Sequence, residues 1–274
     1  MNTEEFYELC HSTDLYKSVE QKNSDITGGN ITRDEIDLID EWEGVERVMI
    51  SGLKQDTFDY FVQHYAHKFK AILFWKNKLV EDWSSLSTLK DVEFIGYFHN
   101  QRITKMWDMT GNHALKGLSI SDFTRLHSLD GIQKAPALER LHFGDAVWPA
   151  SVLHDLKPLE GSRLKEFTFS GKKIKDQDVS VFTTMPDLEV LNSPTNHYTT
   201  EQLAWLVAKL PHVEGYALKP YIQFENRSEK DILICGKRKP FLSSGKDDAR
   251  IQKYADKFEE LVRQYKRRIK PKRM

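Results

Sequence analysis

The sequence predicts an α/β fold built from stacked repeats, and three observations carry that expectation. An apolar pattern recurs through the middle of the chain at intervals of 23–26 residues. Charge is partitioned: residues 1–44 hold 3 basic and 12 acidic residues, residues 225–274 hold 16 basic and 8 acidic, and the middle is neutral. The composition, 39% apolar and 30% charged over 274 residues, is that of a folded soluble chain long enough to bury a substantial core. The balance of 40 basic against 41 acidic residues argues against a uniformly basic nucleic-acid binder. No stretch approaches the roughly 18 apolar residues of a membrane span. The beginning, MNTEEFYELCHS, is acidic where a secretory leader is basic and then apolar, so a cytoplasmic protein is expected. Two cysteines, Cys10 and Cys235, are too few for a disulfide framework and suit a reducing compartment.

The repeat is defined by an apolar residue followed three and five positions later by two more. Eight segments share it: VERVMI from Val45, FKAILF from Phe69, VEFIGY from Val92, LKGLSI from Leu115, LERLHF from Leu138, LKEFTF from Leu164, LEVLNS from Leu188 and VEGYAL from Val213. Of the 24 positions so defined, 23 are apolar with Tyr counted, the exception being Ser193, where a 39% apolar chain would place about nine by chance.

These segments resemble the leucine-rich repeat, L-x-x-L-x-L in units of about 20–29 residues. The resemblance covers residues 45–224. It implies a solenoid in which each short strand buries its first, fourth and sixth side chains, the chain returns on the convex side, and the next strand pairs in parallel with the last. No unit buries its apolar face alone, so the units must stack. The family's turn asparagine at the ninth position is matched by Asn77, Asn100 and Asn196, and the other five units lack it.

The elements follow in order. Residues 1–44 form an acidic N-terminal cap, in which Thr32-x-x-Glu35 is a capping box that opens a helix carrying Ile36, Ile39 and Trp42, closed by Gly44. Convex helices are expected where Phe58, Phe61, Val62 and Tyr65, and later Leu203, Leu206, Val207 and Leu210, fall at helical spacing. The shorter return after Leu115 suits a 3₁₀ turn. Residues 225–274 form a C-terminal cap: a hairpin turning near Gly236 to Arg238, then a helix of about 23 residues from Asp247 with an apolar stripe of Ile251, Tyr254, Phe258, Leu261, Val262, Tyr265 and Ile269.

No catalytic constellation is present: G-x-S-x-G, a P-loop, H-E-x-x-H, C-x-x-C and G-x-G-x-x-G are all missing. His64 and His67 stand three apart on a helix without a third ligand, so no metal site is expected, and no cofactor or small-molecule substrate either. Recognition is sought on the concave face. Its second positions alternate in charge from Glu46 through Lys70, Glu93, Lys116, Glu139 and Lys165 to Glu189, as in a register-fixing ladder. Its other positions gather Leu73, Trp75, Phe94 and Phe98, with His99 adjacent, into an aromatic patch flanked by Arg47 and by Arg140 and His142 across Gly and Ser. Exposed aromatics beside Arg are the usual composition of an interface hot spot. Two arrangements compete with an open patch: residues 1–31 fold over it, or the strand register is shifted by one. The expected function is a non-enzymatic module that binds a protein partner there. The alternative is binding to nucleic acid or another anionic surface through the C-terminal residues 266–274, six of which are Lys or Arg.

Overall fold

The computed structural model describes residues 1–20, 31–225 and 229–269, with side chains as far as Arg267. The chain begins with α1 (Thr3–His11), the short strand β1 (Lys17–Val19) and α2 (Arg33–Asp37). Then come β2 (Arg47–Ser51), α3 (Gln55–His64), β3 (Ala71–Trp75), β4 (Phe94–Asn100), β5 (Gly117–Phe123) and β6 (Arg140–Gly144). The two-residue strand β7 (Val152–Leu153) precedes β8 (Glu166–Phe169), and β9 (Lys173–Ile174) precedes β10 (Val190–Asn192). Last are α4 (Thr200–Lys209), β11 (Tyr221–Gln223), β12 (Ile232–Ile234), β13 (Phe241–Leu242) and α5 (Asp248–Ile269).

β1, β2, β3, β4, β5, β6, β8 and β10 form an eight-stranded parallel sheet in that order, each strand beside its predecessor in the series. The register matches the repeat: Val48 pairs with Ile72, and so on through Ile95, Leu118, Leu141, Phe167 and Leu191. Alternation along a strand sends those residues, and those two further on, to one face. There they join a single core with Phe58 and Phe61 of α3, Leu203 and Leu206 of α4, and the 3₁₀ turns that carry Leu86, Ile132 and Phe182. Connections between parallel strands must cross over. The helices and 3₁₀ turns of those connections pack on this core face, while α1 and the loop of residues 145–151 after β6 lie over the second face.

Seven of the eight repeat segments supply strands. The eighth contributes only the bridge between Val190 and Glu214. The chain turns away at Gly215, where a Cβ would lie 2.1 Å from the Leu191 carbonyl oxygen, and Tyr216 stays largely exposed. The eighth strand of the sheet is instead β1, drawn from the acidic N-terminal segment.

At the ends of four strands the eighth residue of the repeat is left-handed: Gly52, Lys76, His99 and Asp122, with φ of 77°, 54°, 61° and 60°. The bend throws the next residue inward. Asn77 and Asn100 are buried there; Asn77 takes the Leu53 N–H at 2.9 Å and donates to the Ile50 carbonyl at 3.0 Å. Asn100 donates to the Asn77 and Val80 carbonyls and accepts from the N–H groups of Arg102 and Ile103. Asn196, placed in the same role by spacing, is exposed. After β5 the bridging passes to Ser151, which accepts from Phe123 N–H and donates to the Gly144 carbonyl. Of the alternating ladder, Lys116–Glu93 and Lys165–Glu139 close as ion pairs at 2.9 and 2.8 Å. Each lowers its glutamate's pKa and raises its lysine's through the shared hydrogen bond.

The capping box closes at Thr32 and Glu35. At the other end β12 and β13 form the hairpin, with Gly236 and Arg238 left-handed in its turn, and α5 packs along α4. Phe258 is buried in the core, and Leu261, Val262 and Tyr265 are half-buried against it. The stripe's Ile269 side chain and residues 270–274 of the basic tail lie outside the described residues. Among the described residues no helix is long and apolar enough to cross a membrane.

Candidate functional site

The second face is where the candidate residues converge, and α1 divides it. Phe6 and Leu9, three apart on α1, point into the sheet and form a small apolar cluster with Tyr16, Ala71, Leu73 and Phe94, separate from the main core. Phe6 meets Phe94 edge to face at 6.0 Å. The helix lies this close because the sheet is cut away beneath it: a Cβ on Gly117 would stand 2.7 Å from Met1 Sδ and 3.0 Å from Phe6 Cδ2. Arg140 secures the start of α1, its guanidinium donating to the Met1 carbonyl at 3.3 Å and to Thr3 Oγ1 at 2.9 Å. The same guanidinium pairs at 2.5 Å with Glu166 on the next strand, both side chains buried. Arg140 and Phe94 are therefore spent on holding the N-terminal helix, the first of the two competing arrangements, and Leu73 is shared between that cluster and the cavity. Arg47 is half-exposed on β2.

Beyond α1 the patch continues toward β6. Trp75 stacks on Phe98 with centroids 4.2 Å apart, and Phe98 on Trp148 at 6.2 Å. His99 lies 4.7 Å from Trp148; burial, with Lys78 nearby, lowers its pKa. Trp148 and Val147 are 47% and 60% exposed, on the loop between β6 and β7. That loop is fixed by Asp122, whose buried carboxylate accepts from the backbone N–H groups of Ala146, Val147 and Trp148. Three amides converging on one carboxylate give the loop a defined pose.

A cavity of about 540 Å³ opens between α1, this loop and the strands. Phe6, Tyr7, Leu73, Trp75, Phe98 and Val147 supply apolar wall, and Ser119, Ser121, His142, Thr168, Ser170 and Asn192 supply a polar floor. The space exists because Ser121 and Gly144 continue the row in which β3 and β4 carry Trp75 and Phe98. His142 organises the floor. Its Nδ1 lies 3.0 Å from Ser119 Oγ and its Nε2 2.9 Å from Ser170 Oγ. Ser170 also donates to the Asp145 carbonyl and accepts the Asp145 N–H. With that hydroxyl proton committed, the network assigns Nε2–H as donor to Ser170 and Nδ1 as acceptor from Ser119. Burial, with His11 at 6.0 Å, lowers the His142 pKa to about 4, so the ring is neutral at pH 7. Cys10 on α1 hydrogen-bonds Ser119, and burial pushes its thiol up to about 12. A protonated thiol and a serine that donates to backbone are arranged for hydrogen bonding rather than attack.

The repeat pattern located Trp75, Phe98, His99 and His142 at the cavity and its rim. It missed Trp148, Asp122, Asp145 and the Tyr7–Cys10–His11 edge of α1. One signal pointed to the loop: the repeat from Leu138 is 26 residues, the longest spacing, and its surplus includes DAVWP. Among the described residues no cluster of three His, Cys, Asp or Glu is placed to hold a metal ion. No known protein-family model matches the chain, and no curated protein matches its sequence.

Proposed function

We propose that this chain is a leucine-rich-repeat type solenoid acting as a non-enzymatic recognition module in the cytoplasm, which binds a protein partner on the face opposite its core. The observation that carries the reading is the cavity walled by exposed Val147 and stacked Trp75 and Phe98, over a floor of hydroxyls and the neutral His142 imidazole, with exposed Trp148 stacked on Phe98 beside it. Such a pocket suits one bulky side chain of a partner, surrounded by contacts that exclude water, the usual anatomy of a hot spot. Strand order, register and the buried turn asparagines support the repeat assignment. The hydrogen-bonding commitments of Ser170 and His142 favour binding over acyl or proton transfer.

The test is affinity capture from native cell extract with the wild-type chain and with Trp148→Ala, whose exposed side chain stacks on Phe98 beside the cavity and bears little on folding. Capture of a discrete partner, weakened at least tenfold by Trp148→Ala while the thermal melt is unchanged, is expected. Equal capture by both proteins rejects the assignment.

A further inference from the structure

A second concave site lies away from the cavity, where the segments that follow β8 and β10 meet the β12–β13 turn. Lys172, Lys173, Lys175 and Lys237 line a pocket of about 400 Å³ with Ile174, Gln177, Asn196 and His197. Among the described residues no Asp or Glu lines it, and none of the four lysines has a carboxylate within ion-pair distance. Four lysines lining one pocket without a carboxylate in it make its potential positive, which favours a bound anion.

The pocket is braced. Lys172 and Lys175 donate their backbone N–H groups to Ser151 and Leu153 at 2.9 Å, which ties the lysine-rich strand to β7. Gln177 acts as a bracket: its Nε2 donates to the His197 carbonyl at 2.8 Å, its carbonyl takes Gln202 Nε2 at 2.9 Å, and its Oε1 accepts from Lys237 Nζ. Lys237 is held from behind as well, with its N–H on the Tyr198 carbonyl at 2.9 Å. The pocket wall also holds a buried imidazole. His197, only 8% exposed and packed 5.0 Å from Phe169, has no hydrogen-bond partner for Nδ1. A buried polar atom without a partner calls for an explanation.

We infer that this pocket binds a compact oligophosphate, a pyrophosphate or triphosphate group held by the four lysines, with His197 in the wall beside it. A concavity of this size suits a small polyanion; a nucleic-acid duplex would need an extended basic stripe. The site is independent of the cavity on the second face.

Titration calorimetry of the full chain with inorganic phosphate, pyrophosphate and tripolyphosphate at physiological ionic strength tests it. Saturable one-to-one binding is expected, tightening with phosphate number, and weakened at least tenfold by Lys173→Gln with Lys175→Gln. Both lysines are exposed, so the variant keeps the fold, and a thermal melt checks this. The His197 imidazole resonances should shift on saturation with tripolyphosphate. The inference is overturned if no polyphosphate binds saturably, or if the lysine variant binds as well as wild type, which would place the interaction elsewhere, such as residues 266–274. A single-stranded oligonucleotide that binds these lysines more tightly than tripolyphosphate also overturns it, in favour of nucleic acid.

Discussion

His142 shows how one residue's surroundings set its chemistry. An imidazole with an ordinary pKa of 6.5 would be partly charged near neutrality, but here burial lowers it to about 4, and the neighbouring His11 adds to the effect. Asp145 and Glu166 share the cavity lining, yet Glu166 is already paired with Arg140. On acidification the unfolded chain therefore takes up the proton before the folded one does. Stability contributed by the neutral ring is complete above pH 6.5 and is lost as pH falls from 6.5 toward 4, by about 3 kcal/mol at most. His99 and His197, also lowered by burial, act in the same direction. Urea denaturation between pH 7 and 4.5 should show this loss, and His142→Gln should flatten the curve. A variant with the wild-type slope would remove His142 from the account. The histidine's place on an inward-facing strand position was legible in the repeat; its neutrality was not, because desolvation comes from α1 and from the loop that holds Trp148.

At the scale of elements, α1 is anchored apart from the main core. Its apolar residues join the satellite cluster, not the main core. Its polar attachments come from Arg140 and from the bond between Cys10 and Ser119. Segments with few buried contacts open locally, well below the cost of global unfolding. Phe6→Ala removes the ring that fills the hollow over Gly117, a loss of the order of 3 kcal/mol, enough to undock the helix. The expected outcome is a rise of at least tenfold in the labelling rate of Cys10 by a thiol reagent, with Cys235 still buried and the main melting transition moved by only a few degrees. Unchanged labelling would mean that α1 is integral to the core. The apolar residues of α1 carry no repeat signature, so covering by residues 1–31 could be framed as an alternative and not chosen. Strand β1 escaped for the same reason: Lys17–Val19 bears no L-x-x-L-x-L pattern and joins the sheet because an open edge is available to it.

At the scale of the whole molecule, seven of the eight parallel strands come from repeat segments and lie side by side in chain order. Each strand and its return bury apolar surface mainly against neighbours in the series, so the last return is exposed unless something covers it. α5 does this with Phe258 buried and Leu261, Val262 and Tyr265 half-buried against the core, while Ile251 packs on the β12–β13 hairpin. Phe258→Ala should cost about 3–5 kcal/mol. In such an architecture the loss should fall first on α4 and the strands nearest the end, read as faster amide exchange there than in β3 to β5. Uniform loss of protection across the sheet would show that the molecule unfolds as one cooperative body.

The repeat, its register, the returning helices, the capping box and the terminal helix were all readable from residue order, because each rests on local periodicity: side chains three and five apart share a face whatever lies elsewhere. The sharing of the second face was not readable that way. Which rings stay open, which lie under α1, how Asp122 poses Trp148, and how the Lys172–Lys175 segment meets Lys237 and His197 depend on contacts between residues 20 to 140 positions apart. Those contacts are made by packing, and periodicity carries no record of them.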